Sequence, residues 1–386
     1  MERVACHLAN GLHRRGFAVE FVVLRDGGPV RSLLDPGVPV YQVGALPVVG
    51  RGARLIAAIP AIAYYLRTRK PRLFHSPGNH THVAAAQAIF ASRYRGAFVP
   101  KITNPLLKDG MSAGKRWLRR QFYSRVLERA ERVLVLSASG VERAREFGPD
   151  VPAKTRFVHN PYICDAMLAD TGERAPANPP VLLCVGRLSR QKNQSLLLRA
   201  AARLPRQDWI VRLCGTGPDE KELRKLAAEL GIAQRVEFTG FVSDPIPEYR
   251  TATVMALPSR WEDLPATVLE AIACGCPVVT TASSPALVEL LRDVGARAPV
   301  PSGDEAELAH ALEEALEGKL PVVSKSASLA YGMEAACDEH AAIFAELLGQ
   351  GPESVPAYHD RTRHSPQRRP GLAPAAAYSR TAEVPD

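Results

Sequence analysis

No stretch of this sequence is apolar for long enough to cross a bilayer. The longest such run, Leu55 to Leu66, holds 12 residues and contains Pro60, whereas a spanning helix needs about 20. No secretory signal opens the chain, because Glu2 and Arg3 lead directly into a helical pattern. The seven cysteines show no zinc spacing. Cys274 and Cys276, on either side of Gly275, read as small apolar packing residues. These absences point to a reducing, cytoplasmic compartment. Nucleic-acid-binding motifs of the usual kinds are missing too. The net charge of +9 therefore asks for another anionic partner, a membrane surface or a phosphorylated ligand.

Part of that charge lies in the tail, at Arg361, Arg363, Arg368 and Arg369, and part in the stretch Lys115 to Arg132. The latter reads as a basic helix with Trp117, Leu118, Phe122, Val126 and Leu127 as its apolar side. Such a helix can adsorb to an anionic bilayer. It can also pack on a sheet with its basic face in solvent, which is the preferred reading here.

What the chain has is a repeated alternation of helix and strand, the α/β pattern of parallel sheets covered on both faces. At 386 residues it can hold two domains. Residues 1–170 give helix Glu2 to Arg15, strand Ala18 to Leu24, helix Leu55 to Arg69, strand Leu73 to Ser76, helix Val83 to Ala91 and strand Ala97 to Ile102. After the basic helix come strand Arg132 to Ser137 and helix Gly140 to Phe147. Residues 171–180, TGERAPANPP, read as a linker. A second series over 181–331 has strands Val181 to Gly186, Trp209 to Cys214 and Arg235 to Phe238. Its helices are Gln194 to Leu204, Glu220 to Leu230 and Glu305 to Leu316. A closing helix covers 332–349, and the polar, Pro- and Arg-rich residues 350–386 read as disordered. The first half lacks the strand and glycine-rich turn that usually open a doubly wound domain.

Ser259 to Val279, SRWEDLPATVLEAIACGCPVV, carries two glutamates around a turn from strand into helix. Thr253 to Ser259 is the strand, and Pro265 suits the first helical position. Val268, Leu269 and Ile272 make one apolar stripe. Glu270 points roughly opposite it, beside Ala266 and Ala273, which leave room for a ligand. Glu262 lies in the turn itself. Both can reach a ligand at the C-terminal ends of the strands, where open α/β sheets bind. Arg187 and Lys192 lie in GRLSRQKN, between strand and helix, where two cations beside helix N-terminal amides suit a diphosphate. Gly186 permits close backbone approach. Gly215 and Gly217 in CGTGPD occupy the equivalent turn of the next unit. Gly240 and Phe241 end the strand after it, where backbone could meet a flat base.

The motifs VGRLSRQKN, CGTGP, VEFTGFV, ALPSRWEDLPATVLEAIACGCPVV and VPSGD together resemble the retaining GT-B glycosyltransferases of family 4, or group 1, type. ERVACHLANGLHRRG, HSPGNHTH and VHNP are similar to elements of that family's first domain. The resemblance implies two Rossmann-like domains facing a cleft, with the nucleotide-sugar donor, UDP- or GDP-linked, held mainly by the second. It implies Arg187 and Lys192 on the diphosphate, Glu270 on the ribose hydroxyls and Glu262 on the donor sugar. Backbone near Leu264 and Pro265 would help at the sugar or phosphate. It further implies no cofactor and no metal, in keeping with the lack of a DxD-like pair, and transfer with retention to a sugar, polysaccharide or lipid-linked acceptor. His75, His80 and His82 fall where family members place a histidine near the reacting sugar, with His80 and His75 as candidates. The chain departs from the pattern at its start and at Ser283 and Ser284, which replace a glycine pair. Glu289 would match an acidic position there. A non-catalytic nucleotide-sugar-binding protein is the competing reading.

Overall fold

A computed structural model describes residues 2–24, 27, 31–44, 51–107, 110–169, 175–323, 329 and 331–350. The first half runs α1 (Glu2–Arg14), β1 (Phe21–Val23), β2 (Val40–Gln42), α2 (Arg51–Ala57), α3 (Ile59–Arg69), β3 (Leu73–Ser76), α4 (His82–Ser92) and β4 (Ala97–Ile102). It continues with α5 (Ala113–Glu128), β5 (Val133–Val135), α6 (Ala138–Arg143), β6 (Thr155–Phe157) and α7 (Asp165–Leu168). The second half runs β7 (Val181–Val185), α8 (Gln194–Ala202), β8 (Ile210–Cys214), α9 (Glu220–Glu229), β9 (Val236–Gly240), α10 (Ile246–Thr251) and β10 (Val254–Leu257). Then come α11 (Ala266–Ala273), β11 (Val278–Thr280), α12 (Pro285–Asp293), α13 (Glu305–Leu316) and α14 (Met333–Leu347).

The second half forms a five-stranded parallel sheet in the order β11-β10-β7-β8-β9. The sequence VLLCV of β7 is apolar on both faces because helices cover both. The first half divides into a four-stranded parallel sheet, β3-β4-β5-β6, and a separate parallel pair, β1-β2.

α14 packs back on the first half, where Cys337, Ala341 and Phe344 join Leu8 and Leu12 of α1, Val99 of β4 and Leu134 of β5. The α1–α14 crossing is close because Gly11 has no side chain: a Cβ there would overlap the Cys337 sulfur. Arg15, with its side chain fully covered, donates to Asp338 at 2.7 Å and to Glu334 at 2.9 Å across the same crossing. Each fully buried leucine in this seam contributes roughly 1.5–3 kcal/mol.

Several elements differ from the sequence reading, each for a local reason. The helix expected over Leu55 to Arg69 is two helices broken at Ala58, because Pro60 sits in the first turn of the second helix and cannot donate within a continuous one. The strand expected over Ala18 to Leu24 shortens to Phe21–Val23. Pro265 caps α11 in an extended conformation instead of occupying its first helical position. Strands β2 and β6 and helices α10 and α12 were not anticipated. In α5, Tyr123, Val126 and Leu127 are buried, but Trp117 and Leu118 are 63% and 64% exposed. Two of the five residues of the expected apolar side, Trp117 and Leu118, thus face away from the core. Residues 171–174 of the linker and the tail 351–386 lie outside the described residues; 175–180 form neither helix nor strand.

Candidate functional site

The turn after β10 and the turn after β7 meet at the C-terminal edge of the second sheet. Lys192 Nζ lies 2.8 Å from Glu262 Oε1, and Ser259 Oγ donates to the same oxygen at 2.8 Å. The two turns are laced by backbone as well. Arg260 N donates to Gln191 O at 2.8 Å, Gln191 Nε2 to Trp261 O at 2.9 Å, and Asn193 Nδ2 to Pro258 O at 3.2 Å. Asn193 holds the left-handed conformation that starts α8, a position Asn tolerates better than most residues. Arg187 is exposed at the rim of the same turn.

The glycines serve this lacing. A Cβ on Gly186 would lie 3.3 Å from Lys192 Cε, so the missing side chain gives the lysine stem its path. Cβ atoms on Gly215 and Gly217 would overlap the carbonyls of Gly186 and Leu188. These glycines therefore let the turns after β7 and β8 touch, and Leu188 N donates to Thr216 O at 3.1 Å across that contact. Phe241 is exposed just beyond β9.

Glu270 is not beside open space. It is 1% exposed. Tyr249 Oη donates to its Oε2 at 2.8 Å, and Arg3 of α1, from the other half of the chain, pairs with its Oε1. Burial and the neighbouring carboxylate raise the Tyr249 hydroxyl well above its ordinary pKa, so Tyr249 is held as a donor. The small residues flanking Glu270 are filled by packing, and Ala271 and Ala273 are themselves buried.

The same turn is gripped from the first half at two more points. Asp263 Oδ1 accepts from Ser137 Oγ and from Arg143 Nη2, each at 3.0 Å. The Leu264 carbonyl accepts from Tyr162 Oη at 3.4 Å. Asp263 Oδ2 is buried with no partner among the described residues. It lies by a cavity of about 20 Å³ lined by Ile102, Leu106, Val135, Arg143 and Phe147, room for about one water. Ser283 and Ser284, at the position of the expected glycine pair, brace the turn: Glu262 N donates to Ser283 O at 3.1 Å, and Ser284 Oγ bonds the Asp263 carbonyl and caps α12. Sequence reasoning passed over Asp263, Ser137, Arg143 and Tyr162, whose only signal is proximity in space. Glu289 is exposed on α12.

The histidines separate. His75 on β3 bonds the Val99 carbonyl through Nδ1 at 2.8 Å, and its ring packs 5.4 Å from Phe344 of α14. Burial and the Lys101 charge lower it to about 3. Its Nε2 is buried without a partner among the described residues. His75 is thus packed into the α14 seam, against Phe344 and the Val99 carbonyl. His82, at the first turn of α4, bonds Ser76 Oγ at 2.7 Å and is lowered by burial to about 3. His80 is half-buried in the loop between β3 and α4.

Among the described residues, no helix is long and apolar enough to cross a membrane. Two sequence families match the chain: "Glycosyl transferase 4-like domain" over residues 1–161 and "Glycosyl transferases group 1" over residues 170–331. The D-inositol 3-phosphate glycosyltransferase of Geodermatophilus obscurus is 30% identical over 343 residues, covering 79% of this chain and 75% of that protein. In solved structures the fold matches sucrose-phosphate synthase from Thermosynechococcus elongatus at TM-score 0.71, with 19% identity over 89% of this chain and 92% of that one. It also matches Anabaena Alr3699/HepE in complex with UDP-glucose at TM-score 0.63, with 18% identity over 90% of this chain and 94% of that one. With its two Rossmann-like halves, the chain belongs to the group 1, family 4 type glycosyltransferases of the GT-B fold, enzymes that use a nucleotide-sugar donor.

Proposed function

We propose that this glycosyltransferase moves a hexose from a UDP- or GDP-linked donor to a sugar, polysaccharide or lipid-linked acceptor, with retention and without a metal. The observation that carries the reading is the Lys192–Glu262 pair, 2.8 Å apart, at the C-terminal ends of β7 and β10. A cation and a carboxylate from different turns converge where an open α/β sheet binds its ligands. Lys192 and Arg187 take the donor diphosphate. Their positive charge offsets what develops on the leaving phosphate, the task a metal would otherwise perform. Glu262 takes the donor sugar's hydroxyls, assisted by backbone at Leu264 and Pro265. Glu270 takes the ribose diol, two hydroxyl donors matched by two carboxylate oxygens. The base lies toward Gly240 and Phe241.

Retention through a covalent glycosyl-enzyme needs a free carboxylate as nucleophile. Glu262 is held by Lys192 and Ser259, and Glu270 by Tyr249 and Arg3. Both are suited to binding. The step that the family resemblance implies is front-side displacement: the bond between the anomeric carbon and the leaving phosphate oxygen breaks, the acceptor oxygen bonds the same face, and its proton passes to that departing oxygen. His80 is the histidine left to attend the sugar.

UDP- or GDP-dependent thermal stabilisation, followed by transfer assays, tests the proposal. Arg187→Ala is the informative variant because Arg187 is exposed and its loss leaves no buried charge behind. Stabilisation that persists unchanged in Arg187→Ala and Lys192→Ala removes the diphosphate assignment. The acceptor side adds peripheral contact with an anionic membrane. Exposed Trp117 and Leu118 stand beside exposed Lys115, Arg120 and Arg125 on α5, an apolar pair ringed by cations that suits an interfacial helix.

A further inference from the structure

The donor turn is connected to a charged group that the proposed chemistry does not use. Lys101 on β4 is 1% exposed, among the largest fully covered side chains of the protein. Its Nζ donates to Asn160 Oδ1 at 2.7 Å and lies 3.4 Å from His340 Nε2. His340 bonds the Ala336 carbonyl through Nδ1 at 2.8 Å. A neutral ring must donate there, which leaves Nε2 as an acceptor facing Lys101. Asn160 passes the contact on. Its Nδ2 donates to Tyr162 Oη at 2.8 Å, and Tyr162 Oη donates to the Leu264 carbonyl at 3.4 Å. Asn160, Tyr162 and Leu264 are all buried.

The direction of each bond is fixed by the ends. An ammonium has donors only, so Asn160 must turn its oxygen to Lys101 and its amide to Tyr162. The tyrosine hydroxyl, accepting from Asn160, then has its proton free for Leu264. Lys101 thereby sets the polarity of a four-residue chain that starts in the sheet of the first half and ends in the turn holding Glu262. It also touches α14 through His340, so one buried cation meets three separate parts of the fold.

We infer that Lys101 is a positioning residue for donor binding: through Asn160 and Tyr162 it fixes the Leu264 carbonyl, and with it the turn that carries Glu262. The inference rests on the donor assignment proposed above and adds to it a control element outside the donor site.

The relay is sensitive to protonation. Burial lowers Lys101 to about 7. The groups that face it are His340 and the Cys337 thiol from α14, His75 from β3 and the Asn160 amide. Burial holds His340 well below its ordinary value and His75 at about 3, and it raises Cys337 to about 11. These three stay neutral near pH 7, and the titration there belongs to Lys101. A neutral amine no longer dictates the Asn160 orientation, so the grip on Leu264 slackens as pH rises through 7.

The experiment is isothermal titration of UDP and GDP into wild type, Tyr162→Phe, Lys101→Met and Lys101→Arg, from pH 6 to pH 9. Tyr162→Phe removes only the hydroxyl and keeps the packing, so it reports on the relay even if Lys101→Met does not fold. The expected result is nucleotide affinity that falls in wild type as pH rises through 7. Tyr162→Phe should weaken affinity by about three- to tenfold at pH 6, about one hydrogen bond, and flatten the pH dependence. It should also melt somewhat lower, because the buried Asn160 amide and Leu264 carbonyl lose their partner, so the pH profile is the readout that a merely structural role would not move. In transfer assays the same variants should raise KM for the donor more than they lower kcat. Wild-type affinity with the wild-type pH profile in Tyr162→Phe overturns the relay alone. A wild-type protein that binds neither nucleotide overturns the donor assignment and the relay together.

Discussion

Arg3→Ala is the perturbation that most directly tests how the donor site opens. At 1% exposure, Glu270 has no surface to offer a ribose, so one of its two partners must leave before it can serve a ligand. Tyr249 is wholly buried and belongs to the same half of the chain. Arg3 reaches across from α1, and its side chain is 30% exposed. If Glu270 takes the ribose as proposed, Arg3 is the partner that moves. Removing one member of a fully buried ion pair costs about 3–5 kcal/mol. Discounted for the solvent that screens Arg3, the loss here is about 1–3 kcal/mol in the ligand-free protein.

On the proposed ribose role of Glu270, the same substitution removes the competitor of the diol. Each 1.4 kcal/mol no longer needed to displace Arg3 is worth about tenfold in affinity. Differential scanning and titration calorimetry on one preparation read both effects. Arg3→Ala should melt a few degrees lower without nucleotide, bind UDP or GDP about three- to tenfold more tightly, and show a larger nucleotide-induced rise in melting temperature. A variant that melts lower but binds with unchanged affinity refutes the argument, because it would show that ribose does not contend for the carboxylate that Arg3 covers.

Lys192→Ala should weaken nucleotide binding by about 10- to 100-fold, the range for a lost charge-assisted bond. It should also lower the melting temperature because Glu262 stays buried beside Ser259; calorimetry reads both, and wild-type affinity contradicts the diphosphate role. Trp117→Ser with Leu118→Ser should cut binding to vesicles rich in anionic lipid by at least about tenfold, since each buried apolar side chain is worth roughly 1.5–3 kcal/mol. Co-sedimentation measures this, and unchanged partitioning removes α5 from the membrane contact. Acid should destabilise the fold. His75 and His82 sit at about 3 in the folded chain against 6.5 ordinarily, so their stabilising share is complete above 6.5 and is lost as pH falls toward 3. By pH 4.5 the loss is about 2–3 kcal/mol for each, and a urea midpoint that stays flat between pH 7.5 and pH 4.5 contradicts it.

The elements readable from sequence are those whose pattern is complete within one segment. Helix α13 matches its expected span because Asp304 caps it locally, accepting from Glu307 N at 2.9 Å, and its apolar residues recur at helical spacing. The β10–turn–α11–β11 unit was legible for the same reason. Strands β2 and β6, with three residues each, carry too little periodicity to be seen alone, and they exist because a partner strand pairs with them. Of the site, the residue types and their turns were legible, but their occupancy was not. Glu270 read as a ligand-facing carboxylate because nothing within its segment reveals Arg3, 267 positions away.

That distance in sequence carries the physical argument further. Four contacts from the first half converge on the turn after β10 and the helix that follows it: Arg3 on Glu270, Ser137 and Arg143 on Asp263, and Tyr162 on Leu264. Three of them hold Asp263 and the Leu264 carbonyl and not the Glu270 carboxylate proposed for the ribose, so on that reading they can persist when donor binds. The Arg3 contact occupies an oxygen of the carboxylate proposed for the ribose. On the proposed donor assignment, binding is an exchange at one contact within a turn whose other anchors stay fixed, and the first half contributes to affinity through those anchors. This predicts opposite signs for two cuts in the same interface. Asp263→Asn, which keeps the hydrogen bond from Ser137 but drops the Arg143 ion pair, should weaken nucleotide binding, while Arg3→Ala strengthens it. Equal signs in the two titrations would mean that the interface acts only as a closure contact, with no distinction between anchor and competitor.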